Sequence, residues 1–215
     1  MGREEQCSSL FYKKMKSKFY ILPGWGHKFT DQSYQILIKK IEDNYDIIPV
    51  ETGLMDEKYV FGDRLFSQVV TEVKKQVNEP AGKDVIFGFS VGATLAYQLA
   101  TQIKFRLAVV CSVSPILGDD IYLTNKEEIK VFSPIQIEDL KSLDYGRPLT
   151  PLSIYYGSRE VQQIKDRSKK LHSKYGGALF EVKNGEHELS PEYVDTIITG
   201  IQKTEDNSKR KGEID

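Results

Sequence analysis

Cysteine is scarce in this sequence, and its scarcity limits the classes of protein that the chain can belong to. Among 215 residues there are only two cysteines, Cys7 and Cys111. They form neither a C-x-x-C pair nor a zinc-ligand spacing, so the sequence predicts no disulfide framework and no structural zinc site. We therefore expect two reduced thiols in a cytoplasmic protein, with Cys111 packed in the core because it lies in an apolar run.

Long apolar runs and a strong net charge are also missing. No apolar run approaches the roughly 18 residues that span a bilayer, and the formal net charge is only -1. The beginning of the chain carries charges of both signs and no apolar core, so residues 1–17 are predicted to be a polar arm and not a secretory signal. These features argue against a membrane protein and against electrostatic binding of nucleic acid.

What the sequence does contain is a regular alternation of short apolar runs and amphipathic segments. The runs predict six strands, over 18–24, 46–52, 84–89, 105–113, 151–157 and 178–184. The amphipathic segments predict helices over 31–43, 62–78, 91–102, 160–175 and 190–202. Some runs are apolar throughout, which suits strands buried on both faces. The pattern therefore predicts an α/β protein, a three-layer sandwich whose mainly parallel sheet is covered by helices on both faces.

Two regions fall outside this alternation. Residues 116–148 form an insertion between the fourth and fifth strands, and capping-box patterns at Thr124 and Ser133 predict two short helices in it. Residues 203–215 are almost wholly polar and are predicted to be a disordered tail. We therefore expect one domain over 18–202 that carries 116–148 as an insertion.

A serine stands between two glycines where a predicted strand gives way to a helix, in the stretch GFSVG over 88–92. Open α/β sheets bind ligands beyond the carboxyl ends of their strands. Ser90 lies at such an end, and so do Glu160, after the fifth strand, and His187, after the sixth. A serine hydroxyl needs a base within reach, and the base needs a group that orients it. Ser90 is therefore a candidate nucleophile, with His187 as its base and Glu160 as the acid.

The stretch over 88–92 resembles the nucleophile elbow of the α/β-hydrolase superfamily. The chain order Ser90, Glu160, His187 matches the order of nucleophile, acid and base in that family. The resemblance covers residues 18–202. It implies the strand order 2-1-3-4-5-6, which puts the second strand and its Pro49 at an edge of the sheet, where proline is tolerated. It also implies that the insertion 116–148 is a short helical cap in a minimal form of the fold.

The resemblance further implies where the other groups of the site lie. The amide of Val91 is expected to be one donor of an oxyanion hole, and the amide of Trp25, in the loop after the first strand, the other. The family often has His-Gly in that loop, and only the glycine of that pair is present here. Four residues are expected to contact the substrate: Gly24, Trp25, Gly26 and His27.

The acid and the base have competitors in the sequence. Asp119 and Asp120 follow the fourth strand, where some members of the family place the acid, so Glu160 is preferred without being the sole candidate. Of the three histidines, His172 falls inside a predicted helix, whereas His187 lies in a loop after the last strand. His187 is therefore the preferred base.

Together these features predict a serine hydrolase that cleaves a carboxylic ester or thioester through an acyl-enzyme on Ser90. Acyl transfer to an alcohol, amine or carrier thiol uses the same intermediate, and the sequence does not separate it from hydrolysis. A binding protein that kept the fold and lost turnover is the alternative from another class. No metal or organic cofactor is expected, and the expected partner is a small-molecule acyl ester or thioester.

Overall fold

One parallel sheet organises the molecule. The computed structural model describes residues 16–54, 59–77, 80, 82–123 and 129–212. The sheet has six strands in the order β2-β1-β3-β4-β5-β6, and every neighbouring pair is parallel. The strand order predicted from the sequence is thus confirmed. The strands are β1 (Ser17–Leu22), β2 (Tyr45–Pro49), β3 (Val85–Phe89), β4 (Leu107–Cys111), β5 (Leu152–Gly157) and β6 (Ala178–Val182).

Burial of the strands follows their place in the sheet. Every residue of β3, β4 and β5 is buried, as the continuous apolar runs predicted. In β2, at the edge, only Tyr45 is buried, and the strand ends at Pro49. Proline has no N–H to give to a further strand, so an edge position costs it no ladder hydrogen bond.

Helices cover both faces of the sheet and complete the predicted three-layer sandwich. Six α-helices are described: α1 (Gln32–Ile41), α2 (Phe66–Gln76), α3 (Val91–Gln102), α4 (Pro134–Ser142), α5 (Gln162–Tyr175) and α6 (Pro191–Gly212). The buried side chains of α1 and α6 pack with one set of strand residues, and those of α2, α3 and α5 pack with the alternate set. Along β1, for example, Phe19 and Ile21 face the first layer, whereas Tyr20 and Leu22 face the second.

The two ends of the chain compare differently with the sequence predictions. The predicted arm over 1–17 lies outside the described residues apart from its last two. At the other end the structure differs from the prediction, because α6 continues to Gly212 instead of giving way to a disordered tail at 203. The segment contains no proline, and Lys, Glu and Arg are good helix formers, so a packed helix can extend through it.

The insertion contains a 3-10 helix, Gly118–Leu123, and the helix α4. The predicted capping box at the start of α4 is confirmed. The Ser133 hydroxyl accepts from the backbone amide of Gln136, and the Gln136 side-chain oxygen accepts from the backbone amide of Ser133. The helix start predicted at Thr124 lies outside the described residues. Among the described helices, none combines the length and the apolar character that crossing a membrane requires.

A buried glutamine ties the insertion to the body of the protein. Gln136 is 1% exposed. Its side-chain amide donates to the carbonyl of Gly62 at 2.7 Å and to that of Arg64 at 2.8 Å. On the next turn of α4, the Asp139 carboxylate accepts from the hydroxyl and the amide of Ser67. These bonds fix α4 against the start of α2.

Replacing Gln136 by methionine is expected to lower the free energy of unfolding by about 2 kcal/mol, because two partly buried carbonyls lose their donor. Urea denaturation of the two proteins measures the difference. Gln162→Met, at an exposed glutamine, is the matched control and is expected to change stability by less than about 0.5 kcal/mol. Equal losses in the two variants would contradict this role of Gln136.

Candidate active site

Ser90 occupies a strained turn between β3 and α3. Its backbone has φ 56° and ψ -123°, a conformation that residues with a side chain rarely adopt. The Ser90 amide donates to the carbonyl of Cys111 at 2.9 Å, and α3 begins at the next residue, Val91. The side chain is half-buried at the carboxyl end of the sheet. The turn therefore presents the hydroxyl beyond the end of β3.

Two glycines allow the turn to pack this tightly. A Cβ on Gly88 would lie 2.2 Å from the carbonyl oxygen of Gly92. A Cβ on Gly92 would lie 2.3 Å from the carbonyl oxygen of Leu22, at the end of β1. Both distances are shorter than real Cβ contacts, so the close approach of β3, α3 and β1 requires glycine at each position.

The structure brings Ser90, His187 and Glu160 into one hydrogen-bonded row. His187 Nε2 lies 2.9 Å from Ser90 Oγ, and His187 Nδ1 lies 3.0 Å from Glu160 Oε1. An ionised carboxylate only accepts hydrogen bonds, so Nδ1 carries the proton of the neutral imidazole and Nε2 is left to accept from the serine hydroxyl. The Glu160 side chain is fully buried, and its Oε2 accepts from the Gly157 amide at 2.9 Å.

The loops that carry Glu160 and His187 hold each other in place. The amide of Arg159 donates to the carbonyl of Gly185 at 2.9 Å, and that of Asn184 donates to the Ser158 hydroxyl at 2.9 Å. Next to the row, the ring of Phe89 lies 5.5 Å from that of His187. The two hydrogen bonds between the loops after β5 and β6 thus set the distance between the acid and the base.

A tyrosine and a serine lie beneath the acid, and the sequence analysis did not identify them. The Tyr193 hydroxyl is 2.9 Å from that of Ser112, whose backbone has a positive φ of 55°. Burial, and then the charge of Glu160, raise the pKa of Tyr193 far above its ordinary value. Tyr193 therefore stays protonated. Neither residue belongs to a sequence motif, so only the fold reveals their position.

The competing candidates lie elsewhere. The Asp120 carboxylate is buried against the guanidinium of Arg167, and Asp119 is exposed. Neither is bonded to His187, whose carboxylate partner is Glu160. His172 lies in α5, outside the cavity described below.

The loop after β1 runs beside the serine. A Cβ on Gly24 would lie 3.2 Å from Ser90 Cβ. The Gly24 amide donates to the Tyr34 hydroxyl at 3.1 Å, and the Gly26 amide donates to a carbonyl at 3.0 Å. These bonds fix the loop on both sides of Trp25. Val91, as the first residue of α3, has an N–H for which the helix supplies no acceptor. The expected oxyanion donors thus flank Ser90, and their role stays a prediction.

A cavity of about 410 Å³ opens beside Ser90. Ser114 lies in its wall, with its hydroxyl 3.3 Å from that of Ser90, and the sequence analysis did not single it out. Of the predicted substrate contacts, Trp25 and His27 line the cavity, whereas Gly24 and Gly26 are not among its described lining residues. The lining comprises Trp25, His27, Val60, Phe89, Ser90, Val91, Ser114, Pro115, Ile116, Val131, Phe132, Val161, Gln163, Ile164 and His187.

Within the part of the chain that the structure describes, no three His, Cys, Asp or Glu side chains are grouped so that they could hold a metal ion.

Solved structures share this fold. Est1E from Butyrivibrio proteoclasticus has a TM-score of 0.72 at 10% identity, over 88% of each chain. A complex of Est1E with ferulic acid has a TM-score of 0.69 at 11% identity, over 93% of this chain and 89% of that one. Alpha/beta hydrolase domain-containing protein 10 from mouse has a TM-score of 0.67 at 11% identity, over 88% and 90%. No protein-family model and no curated protein matches the sequence. The chain has the α/β-hydrolase fold.

The strain at Ser90 predicts an unusual order of stabilities. Ser90→Gly is expected to be about 1–2 kcal/mol more stable than Ser90→Ala, because glycine tolerates the positive φ that alanine does not. Both variants lack the hydroxyl, so its hydrogen bonds cancel in the comparison. Urea denaturation of the pair measures the difference.

Thr71, exposed in the interior of α2, provides the control. There the order is expected to reverse, with Thr71→Gly about 1 kcal/mol less stable than Thr71→Ala. If Ser90→Gly were also the less stable of its pair, the turn would not be strained.

Proposed function

We propose that this protein is a serine hydrolase that cleaves a carboxylic ester or thioester through an acyl-enzyme on Ser90. The observation that carries the proposal is the continuous row from Ser90 Oγ through the His187 imidazole to the buried Glu160 carboxylate, beside an apolar cavity. Such a row supplies the base that a serine hydroxyl needs at neutral pH and the acid that orients the base.

In the first step, Ser90 Oγ attacks the substrate carbonyl carbon while its proton moves to His187 Nε2. The imidazolium that forms faces the Glu160 carboxylate at 3.0 Å, and that carboxylate is fully buried. The buried carboxylate stabilises this cation more strongly than an exposed one would, because the local dielectric is low. His187 then gives the proton to the leaving alcohol or thiol as the bond from the carbonyl carbon to it breaks.

The oxyanion of the tetrahedral intermediate is assigned to the amides of Val91 and Trp25. The Val91 amide is at the N-terminus of α3, where the helix dipole favours negative charge. Trp25 lies in the loop that runs beside Ser90. One donor is held at the N-terminus of a helix, and the other in a loop fixed by hydrogen bonds. Such preorganised donors need little rearrangement when negative charge develops, and this is why they stabilise it effectively.

A water molecule completes the cycle. The His187 side chain is 45% exposed, so solvent can reach Nε2 once the leaving group has departed. His187 takes a proton from the water as its oxygen attacks the acyl carbon, and it returns the proton to Ser90 Oγ as the acyl bond breaks. The ester and water supply every atom and proton of the cycle.

Two further observations fit the proposal. The complex of Est1E with ferulic acid is a case in which a protein of this fold binds an aromatic carboxylic acid. Cys111 is buried and unpaired, and burial raises the pKa of its thiol, so it is no competing nucleophile.

A fluorophosphonate probe tests for the activated nucleophile. Wild-type protein is expected to gain the mass of one phosphonyl group, with loss of fluoride. Ser90→Ala is expected to gain none, and His187→Ala is expected to react at least about 1,000-fold more slowly, because its serine lacks a base. His172→Ala, the matched histidine control, is expected to react at the wild-type rate. Intact-mass spectrometry over time measures all four proteins.

The same assay separates Glu160 from Asp120, the buried one of its two competitors. Glu160→Gln is expected to slow labelling by at least about 100-fold, because an amide can hold the imidazole in the wrong tautomer. Asp120→Asn is expected to lower the free energy of unfolding, because it breaks a buried ion pair, and to leave the labelling rate within about twofold of the wild-type rate. The opposite pattern would move the acid to Asp120. A folded wild-type protein that takes up no label would favour the non-catalytic binding role.

A further inference from the structure

We propose that the substrate carries a neutral, apolar acyl group, a chain or an aryl-acyl group of about six to ten carbons. This inference rests on the proposed function and names the substrate class of the same site. It follows from four properties of the cavity beside Ser90: its closed end, its open rim, its uncharged described lining and its volume.

The most buried part of the cavity lining, which we call its closed end, consists of apolar side chains. Val60 is 1% exposed, Ile116 is 5% exposed, and Phe132 and Ile164 are each 6% exposed. These residues come from the segment before α2, the loop after β4, the cap and α5. An apolar substituent placed among them is removed from water, which favours binding in proportion to the area it buries.

The open rim lies on the side of the histidine. Trp25 is 39% exposed, Val161 is 54% exposed, and the His187 side chain is 45% exposed. The leaving group must reach His187 to receive its proton, so it occupies this solvent-facing side. The acyl substituent, on the other side of the carbonyl carbon, then extends into the closed end.

Charge gives a second restriction. Among the described lining residues none is Asp, Glu, Lys or Arg, and the polar ones are Ser90, Ser114, His27, Gln163 and His187. At the closed end a carboxylate would lose its hydration and gain no cation from the described lining residues. Such burial is strongly unfavourable, so acyl groups that end in a charge are disfavoured.

The volume of the cavity limits the length of the acyl group. At the roughly 30 Å³ that a water molecule takes up in the liquid, about 410 Å³ holds on the order of a dozen non-hydrogen atoms. The ester group and part of the leaving group take some of that space. The remainder corresponds to the range of about six to ten carbons.

The side chains at the closed end of the cavity are held in place, so this end wall can limit the length of the acyl group. The Val60 amide donates to the carbonyl of Val131 at 3.0 Å, which joins the segment before α2 to the cap. The ring of Phe132 packs against that of Phe61, with centroids 5.5 Å apart. Gln136 and Asp139 anchor the following helix, α4. The wall is therefore part of the packed structure.

A series of 4-nitrophenyl esters from acetate to dodecanoate, used below their aggregation concentrations, tests the proposal. We expect kcat/KM to rise by up to about fourfold with each added methylene and to stop rising near about ten carbons. The eight-carbon ester whose chain ends in a carboxylate is expected to react at least about 100-fold more slowly than the octanoate.

Variants of the end wall test where the acyl group lies. Phe132→Ala is expected to move the plateau to chains about two to four carbons longer, because it lengthens the cavity. Phe132→Leu is a milder variant that is expected to shift it in the same direction if the alanine variant does not fold. Ile135→Ala is the matched control, because Ile135 is 66% exposed in the same cap, and it is expected to leave the profile unchanged.

The outcomes separate this inference from the proposed function. Hydrolysis that is fastest with acetate, or equal for the octanoate and the charged eight-carbon ester, would overturn the inference and leave the serine hydrolase standing. An unchanged plateau in a folded Phe132 variant would overturn the placement of the acyl group in the closed end. If no ester is cleaved and the fluorophosphonate does not label Ser90, both proposals are overturned together.

Discussion

The backbone of Ser90 is the constraint on which the rest of the site depends. A residue with a side chain is held at φ 56° where β3 gives way to α3, and the approach of α3 to the end of β1 is closer than any Cβ would permit. Such a turn costs free energy, of the order of 1–3 kcal/mol, and it persists only because the packing around it allows no relaxed alternative. The two sides of β3 and nearly all of α3 are buried, so the cost is met by the core and the hydroxyl is left in a fixed place. A more relaxed turn would leave the serine in the sheet or turn it away from His187.

The parallel sheet explains why residues far apart in sequence meet beside this turn. Because all six strands run the same way, the loops after β1, β3, β5 and β6 share one edge. The loops after β5 and β6 are bonded to one another, so Glu160 and His187 approach Ser90 as a single unit. The insertion after β4 contributes Ile116, Val131 and Phe132 to the cavity lining, and the helix α4 that follows them is anchored to the segment before α2. The sheet positions the chemical groups, and the cap shapes the space that a substrate would occupy.

Much of the fold was predictable from the sequence because its signals are local. Short apolar runs located the six strands, amphipathic segments located the helices between them, and the glycine-flanked serine marked the turn at Ser90. Chain order singled out Glu160 and His187, but it did not exclude Asp120 as the acid. Only three-dimensional contacts show that the Asp120 carboxylate is paired with Arg167. Tyr193 and Ser114 were missed for the same reason: their positions depend on packing between distant elements and not on a motif. The helix through 203–212 was missed because a polar segment that continues a packed helix has the composition of a disordered tail.

The central claim is that an acyl group is transferred to Ser90 during turnover. Its most direct test is to quench wild-type protein with acid during steady-state cleavage of 4-nitrophenyl octanoate and to measure its intact mass, followed by peptide mapping. A fraction of the protein is expected to be heavier by one octanoyl group and not by the whole ester, with the added mass on the peptide that contains Ser90. Turnover with the modification on another residue would contradict it. So would a burst of 4-nitrophenol that leaves no covalent adduct on the protein.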